Sequence, residues 1–266
     1  MINVIKSLTL AIIVAAPCFA QPDSIKYSDG FRFADGICYN FTGPLRWEKK
    51  DWTKFGIVLG GVSALSLVDK PMRRAWEPVD EKFLDKVNDV GDAYGRTHSA
   101  LAFSGGFYIA GLVTKNAWLK ETGVILGAAL FTSGAIQGGL KPLIGRSRPF
   151  VEEGNYSFHP LRSSGDFHSF PSGHTSIALT ITFVMARRVK SILLKILFYS
   201  LAASTVACRL YSDAHWISDI GLGGSVAWFS AESSVRRIES MRYRRGIEPK
   251  FVLLPYPGGM TLRLRI

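Results

Sequence analysis

Apolar residues cluster into six runs along the chain: 55–68, 99–114, 122–140, 175–186, 191–207 and 217–231. They predict helix after helix, with little strand signal before the C-terminal end. Between the first two runs, Val79, Phe83, Val87 and Val90 recur at helical spacing among acids and lysines. The stretch Val79–Ala93 therefore predicts a surface amphipathic helix whose role is packing. At 251–266, an apolar run, a Pro/Gly turn and Leu262, Leu264 and Ile266 alternating with Arg263 and Arg265 predict a small hairpin. The expected fold class is all-α: a bundle of about six apolar helices, membrane-associated, with a small C-terminal β-hairpin.

Length separates the runs. A bilayer-spanning helix needs about 20 apolar residues. Residues 122–140 provide 19 without a charge, 55–68 only 14, and Lys195 interrupts the fifth run. Paired glycines at 60–61, 105–106, 138–139 and 223–224 permit close helix approach. That suits either a soluble or a membrane bundle. The basic clusters 187–190 and 236–245 would share one side if the last three runs span, and that side would be cytoplasmic.

Met1–Ala20 has an early cation, Lys6, an apolar run and small residues before position 21, and reads as an export signal cleaved after Ala20. An uncleaved anchor is the alternative. The expected organisation is a signal at 1–20, an N-terminal extension at 21–98, a helical core at 99–231 and a basic tail at 232–266. The extension holds one apolar and one amphipathic helix. Cleavage would leave Cys38 and Cys208, and Cys208 is expected as a buried small residue.

The 266 residues are 47% hydrophobic, which excludes disorder as the general state, and three cysteines exclude a disulfide-dense scaffold. A formal charge of +11 points to an anionic partner. No nucleic-acid recognition motif accompanies that charge, so nucleic acid is not the expected partner.

Three stretches carry candidate chemistry. Lys141-Pro-Leu-Ile-Gly-Arg-Ser-Arg148-Pro149 follows the third run, and Pro171-Ser172-Gly173-His174 precedes the fourth. Arg209-Leu-Tyr-Ser-Asp-Ala-His215-Trp-Ile-Ser-Asp219 joins the fifth to the sixth. With antiparallel neighbours, all three fall at one end of the bundle. Lys141, Arg148 and Arg209 can surround a phosphoryl group. Ser172 and Gly173 would offer backbone amides at a helix N-terminus. His215 and Asp219, four apart, would share a helical face, with the carboxylate orienting the imidazole as nucleophile. His174 remains as the proton donor to the leaving oxygen.

At these residues the chain resembles the type 2 phosphatidic acid phosphatase superfamily, whose pattern is Lys-x6-Arg-Pro, Pro-Ser-Gly-His and Ser-Arg-x5-His-x3-Asp. Lys141, Arg148 and Pro149 match the first part, Pro171–His174 the second, and Arg209, His215 and Asp219 the third. Cys208 stands where the family usually has Ser. The resemblance covers about 120–231. It implies a phosphohistidine on His215 oriented by Asp219, acid–base work by His174, and phosphate binding by Lys141, Arg148, Ser172, Gly173 and Arg209. It implies no cofactor and no metal. The implied substrate is a lipid phosphate or diphosphate in the bacterial envelope, with a soluble periplasmic acid phosphatase as the alternative. A vanadate-dependent haloperoxidase and a non-catalytic lipid binder rank below these.

Family members usually keep the catalytic face outside. An export signal also places residue 21 outside, yet three apolar runs precede or include the approach to Lys141. The expectation is that 55–68 packs without crossing and the site faces the periplasm. The connection 150–170 is expected to lie over the pocket and select substrate.

Overall fold

A computed structural model describes residues 27–76, 81–243, 251–256 and 259–264. The expected export signal lies outside the described residues. The helices are α1 (Asp29–Phe41), α2 (Lys49–Ser66), α3 (Asp69–Trp76), α4 (Glu81–Gly95), α5 (Thr97–Val113), α6 (Ala117–Ile144), α7 (Gly173–Arg188), α8 (Ile192–Tyr211) and α9 (Ile217–Tyr243). The chain is all-α in its body, and the five runs from 99 onward each became one helix. Phe251–Tyr256 and Gly259–Leu264 pair antiparallel, Phe251 opposite Leu264.

Local sequence sets the ends. The Asn116 side chain accepts from the amides of Trp118 and Leu119 and starts α6. Gly145, at φ +63°, ends it, and a Cβ there would lie 2.0 Å from the His159 carbonyl oxygen. Ser28 and Ser191 cap α1 and α8 in the same way as Asn116.

One apolar core unites the elements. Ile125, Leu126, Ala128 and Ala129 of α6 pack with Ala178, Ile181 and Val184 of α7 and Ala231, Val235 and Ile238 of α9. Ile37 of α1 and Tyr94 of α4 belong to the same cluster, so the extension is built into the bundle. Glycine sets the closest approaches. A Cβ at Gly111 would lie 2.2 Å from the Lys120 amide nitrogen, and one at Gly123 2.5 Å from that of Tyr108, so α5 lies tight against α6.

Helices α5 to α9 alternate in direction, and the C-terminal end of α6, the N-terminal ends of α7 and α9 and the C-terminal end of α8 meet at one end. The far end holds Lys120 and Glu121, and there Asp29 and Arg32 of α1 join them through Lys120–Asp29 at 3.0 Å and Arg32–Glu121 at 2.5 Å. The chain thus enters α1 at the end opposite the site. Leu65, near the end of α2, meets Gly221 at the site end. Together α1 and α2 run the length of the bundle.

Helices α6 and α8 are long and apolar enough to cross a membrane, and α2 and α3, bent by 56°, pass the same test as a pair. Ile57, Leu101, Ile109, Leu112, Ile192, Leu193 and Ile196 are exposed, giving the bundle an apolar belt.

Candidate active site

The three motif stretches meet at one end, as their order along alternating helices requires. His215 does not sit on the helix: α9 begins at Ile217, so the pair bridges the helix start rather than sharing a face. His215 Nδ1 lies 2.8 Å from the Ser169 carbonyl oxygen and 3.7 Å from Asp219 Oδ2. A carbonyl can only accept, so Nδ1 carries the proton and Nε2 keeps its lone pair. The ring is therefore oriented first by Ser169, with Asp219 as a nearby charge. This corrects the expectation of a direct carboxylate–imidazole hydrogen bond. The helix start explains it: Asp219 Oδ2 already accepts from the Trp216 amide at 2.8 Å and the Ser169 hydroxyl at 2.5 Å.

His215 is buried, and burial pushes its imidazole down to about 4. Asp219 opposes this, while Lys141 and Arg148 add to it. The ring is neutral at pH 7, the state in which Nε2 can attack.

Lys141 Nζ donates to the His168 carbonyl at 2.7 Å and lies 4.0 Å from where a Cβ on Gly173 would sit. Arg148 Nε donates to the Gly165 carbonyl at 2.9 Å. Both cations thus hold neutral acceptors and keep their charge uncompensated at the site. Arg209 is buried, and its Nε has no acceptor among the described residues. Its Nη2 donates to Asp92 at 2.5 Å and to the Cys208 sulfur at 2.7 Å. Cys208 is a free, buried thiol and does not pair with Cys38.

The Ser172 amide is not an anion donor, because it donates to the Asp219 carbonyl at 3.0 Å. The amides of Gly173 and His174 have no acceptor among the described residues and remain as the donors at the start of α7. Gly223 permits this crossing of α7 and α9: a Cβ there would lie 2.7 Å from the Ser172 carbonyl oxygen.

Four residues outside the sequence-derived set complete the site. Arg146, 3% exposed, donates to Asp219 at 2.6 Å and Asp69 at 2.6 Å. It also reaches the Ser218 hydroxyl and the Asn155 carbonyl. Asp69, at the start of α3, accepts from the Ser218 amide and hydroxyl. Arg73 of α3 grips Asp213, two residues before His215, at 2.8 and 2.6 Å. Asp92 of α4 lies against Arg209 and His174, so the amphipathic helix expected only to pack carries a side chain into the site. Arg146 was signalled by its place inside the first motif, two residues before Arg148. Asp69 and Asp92 had no motif to mark them.

The connection 150–170 is held by Glu153, which accepts from the Ser147 and Ser157 hydroxyls and contacts His159 at 2.7 Å. Those hydrogen bonds pull its carboxyl down to about 2. Tyr156, Phe158 and Leu161 are exposed on the same connection.

A helical bundle gathering a neutral buried histidine, a second histidine and uncompensated cations at one end defines a phosphate-handling enzyme core. The PAP2 superfamily model matches residues 122–239. Lipid A 1-phosphatase of Rhizobium johnstonii is 27% identical over 210 residues, 72% of this chain and 81% of that protein. Lipid A 1-phosphatase of Rhizobium etli is 33% identical over 124 residues, 41% of this chain and 50% of that protein. A solved transmembrane PAP2-type phosphatidylglycerolphosphate phosphatase from Bacillus subtilis shares the fold at a TM-score of 0.57 and 21% identity, covering 73% of this chain and 96% of that one. Aquifex aeolicus LpxE does so at 0.50 and 18%, covering 64% and 95%. Over those residues the chain is similar to PAP2-type phosphatases, and it is a phosphatase.

Proposed function

We propose that this phosphatase hydrolyses a phosphate monoester or diphosphate on a membrane lipid, through a phosphohistidine on His215 and without a metal. The observation that carries the reading is the Ser169 carbonyl 2.8 Å from His215 Nδ1, which leaves Nε2 as a lone pair beside Lys141 and Arg148. The relatives' names supply lipid A, and the Bacillus neighbour's supplies phosphatidylglycerolphosphate, as the substrates to test first.

In the first step Nε2 attacks phosphorus. The bond from phosphorus to the leaving oxygen breaks with its electron pair going to oxygen, and His174 delivers the proton. In the second step His174 takes a proton from water, water oxygen bonds to phosphorus, and the P–N pair returns to Nε2. Lys141, Arg148, Arg209 and the amides at Gly173 and His174 stabilise the equatorial oxygens through both steps. Asp219 and Ser169 hold the His215 ring throughout.

The apolar belt, together with α6 and α8, supports membrane embedding. Arg187, Lys190 and Arg236 lie toward the end away from the site and favour a cytoplasmic far end with the site facing the periplasm.

The test is phosphate release by the purified protein in detergent with chelator, from lipid A 1-phosphate, phosphatidylglycerol phosphate, phosphatidic acid, a prenyl diphosphate and soluble esters. Lipid substrates should exceed soluble ones, and acid quench should trap a phosphohistidine. A strict metal requirement, or preference for soluble esters, would overturn the reading. Labelling of single cysteines at 150–170 from the cytoplasm would overturn the orientation.

A further inference from the structure

We propose that Asp92, from the extension outside the matched family region, is the positioning residue for His174 and Arg209. Resting on the reading of His174 as the acid, it says how this chain aims that acid and favours its charged form.

The geometry converges on one carboxylate. Asp92 Oδ1 lies 2.5 Å from Arg209 Nη2 and 3.3 Å from His174 Nε2, and Oδ2 lies 2.5 Å from Arg96 Nη2. Asp92 therefore ties a phosphate-binding arginine to the proton donor. Burial, and then the Arg209 charge, push the His174 imidazole down to about 4, and the Asp92 carboxylate opposes them by favouring the imidazolium, the form able to release a proton. Contact at one ring nitrogen also fixes the rotation of the ring.

Helix α4 is shaped to bring the carboxylate there. Gly91 and Gly95, four apart, share the face that carries α4 onto its neighbours. A Cβ on Gly91 would lie 2.3 Å from the Ser204 carbonyl oxygen. One on Gly95 would lie 2.8 Å from both His174 Cβ and Thr205 Cγ2. No alanine fits at either place without moving backbone or the histidine itself. The Thr205 hydroxyl donates to the Gly91 carbonyl at 2.7 Å, and the Tyr94 hydroxyl pairs with that of Thr182 at 3.0 Å. The helix is locked on both sides of Asp92, more closely than surface packing requires.

The reaction step affected is the departure of the leaving oxygen, which takes the P–O electron pair and the His174 proton. An alkoxide needs that proton, whereas p-nitrophenolate, a far weaker base, departs without it. Loss of Asp92 should therefore injure alkyl phosphates more than aryl ones. A merely structural carboxylate would injure both alike.

The experiment compares kcat/KM for dioctanoyl phosphatidic acid and p-nitrophenyl phosphate in wild type, Asp92→Asn and Asp92→Glu, with thermal unfolding as the folding control. Asp92→Asn should lose about 30-fold on the lipid and under about threefold on the aryl ester, less than the roughly 100- to 10,000-fold of a whole general acid because the imidazole itself remains. Asp92→Glu should recover most of the alkyl-to-aryl ratio. If Asp92→Asn does not fold, Arg96→Gln, which removes a cation that opposes the His174 imidazolium and leaves Asp92 in place, should raise the ratio by about twofold, and a fall in it overturns the proposal. An unchanged ratio, or faster turnover of both substrates because the carboxylate had blocked the anion position, overturns the proposal. A wild type that releases phosphate from neither substrate sinks the functional reading instead.

Discussion

At the far end of the bundle, Arg188 donates to Glu121 at 3.0 Å and Glu239 at 2.7 Å, Arg32 meets Glu121, and Arg237 grips Asp35 at 2.5 and 2.8 Å. Each of these arginines meets a carboxylate. At the site end, Lys141 and Arg148 donate to backbone carbonyls, and Arg209, although paired with Asp92, keeps a buried Nε without an acceptor among the described residues. The same side chains hold structure where the charge is cancelled and wait for an anion where it is not. A buried cation satisfied only by neutral dipoles retains its field, and in a low-dielectric setting that field is strong. Arg146 stands between the two cases: it lies at the site end yet is paired with Asp69 and Asp219, which makes it a support.

Four perturbations should separate the ends. His215→Ala should cut turnover by at least about 10,000-fold, as loss of a nucleophile does, while unfolding stays near wild type. Near-normal phosphate release from that variant would end the nucleophile assignment. Next, Arg188→Met removes the cation on Glu239 and one of the two on Glu121, and should lower stability by about 3 kcal/mol, with kcat per folded molecule unchanged. Chemical unfolding in detergent, read beside activity, checks both halves, and a lost kcat would erase the distinction between the ends. Third, Arg148→Met should reduce kcat/KM by about 100- to 1,000-fold with little change in the unfolding midpoint. A large fall in stability with activity intact would make Arg148 another far-end arginine.

The smallest effect is one of pH. His215 ordinarily titrates near 6.5 and is pushed down to about 4 in the folded chain, chiefly by burial. Between those values the unfolded chain takes a proton that the folded chain refuses. Its contribution to stability is full above 6.5 and is lost as pH falls toward about 4. Unfolding midpoints at pH 7 and pH 4.5 should therefore diverge more in wild type than in His215→Gln. Equal divergence would place the acid sensitivity elsewhere.

The core helices were legible because periodicity and length speak locally: Ala117–Ile144 contains the run read at 122–140, and Gly173–Arg188 the run at 175–186. The site residues were legible because three spaced motifs each fall at a helix end. Ser169 was not, because its contribution is a backbone carbonyl, which any residue type could supply. The Ser172 amide was assigned to phosphate for the opposite reason: residue type cannot tell that Asp219's own carbonyl takes it first. Residues 21–98 appeared peripheral because nothing in them matches a motif, although Asp69 and Asp92 sit within the site.

By itself the amino-acid order determined a mostly helical chain and pointed to an anion-binding chemistry around two histidines, since these follow from local spacing and from the intrinsic properties of imidazole and guanidinium groups. Only tertiary packing decided which end of the bundle the chain enters, which acceptor fixes the His215 tautomer, and that α3 and α4 bring Asp69 and Asp92 to meet Arg146, Arg209 and His174. Those outcomes depend on distances between segments far apart in the chain. A hydrogen bond or ion pair is decided by tenths of an ångström that no local pattern encodes.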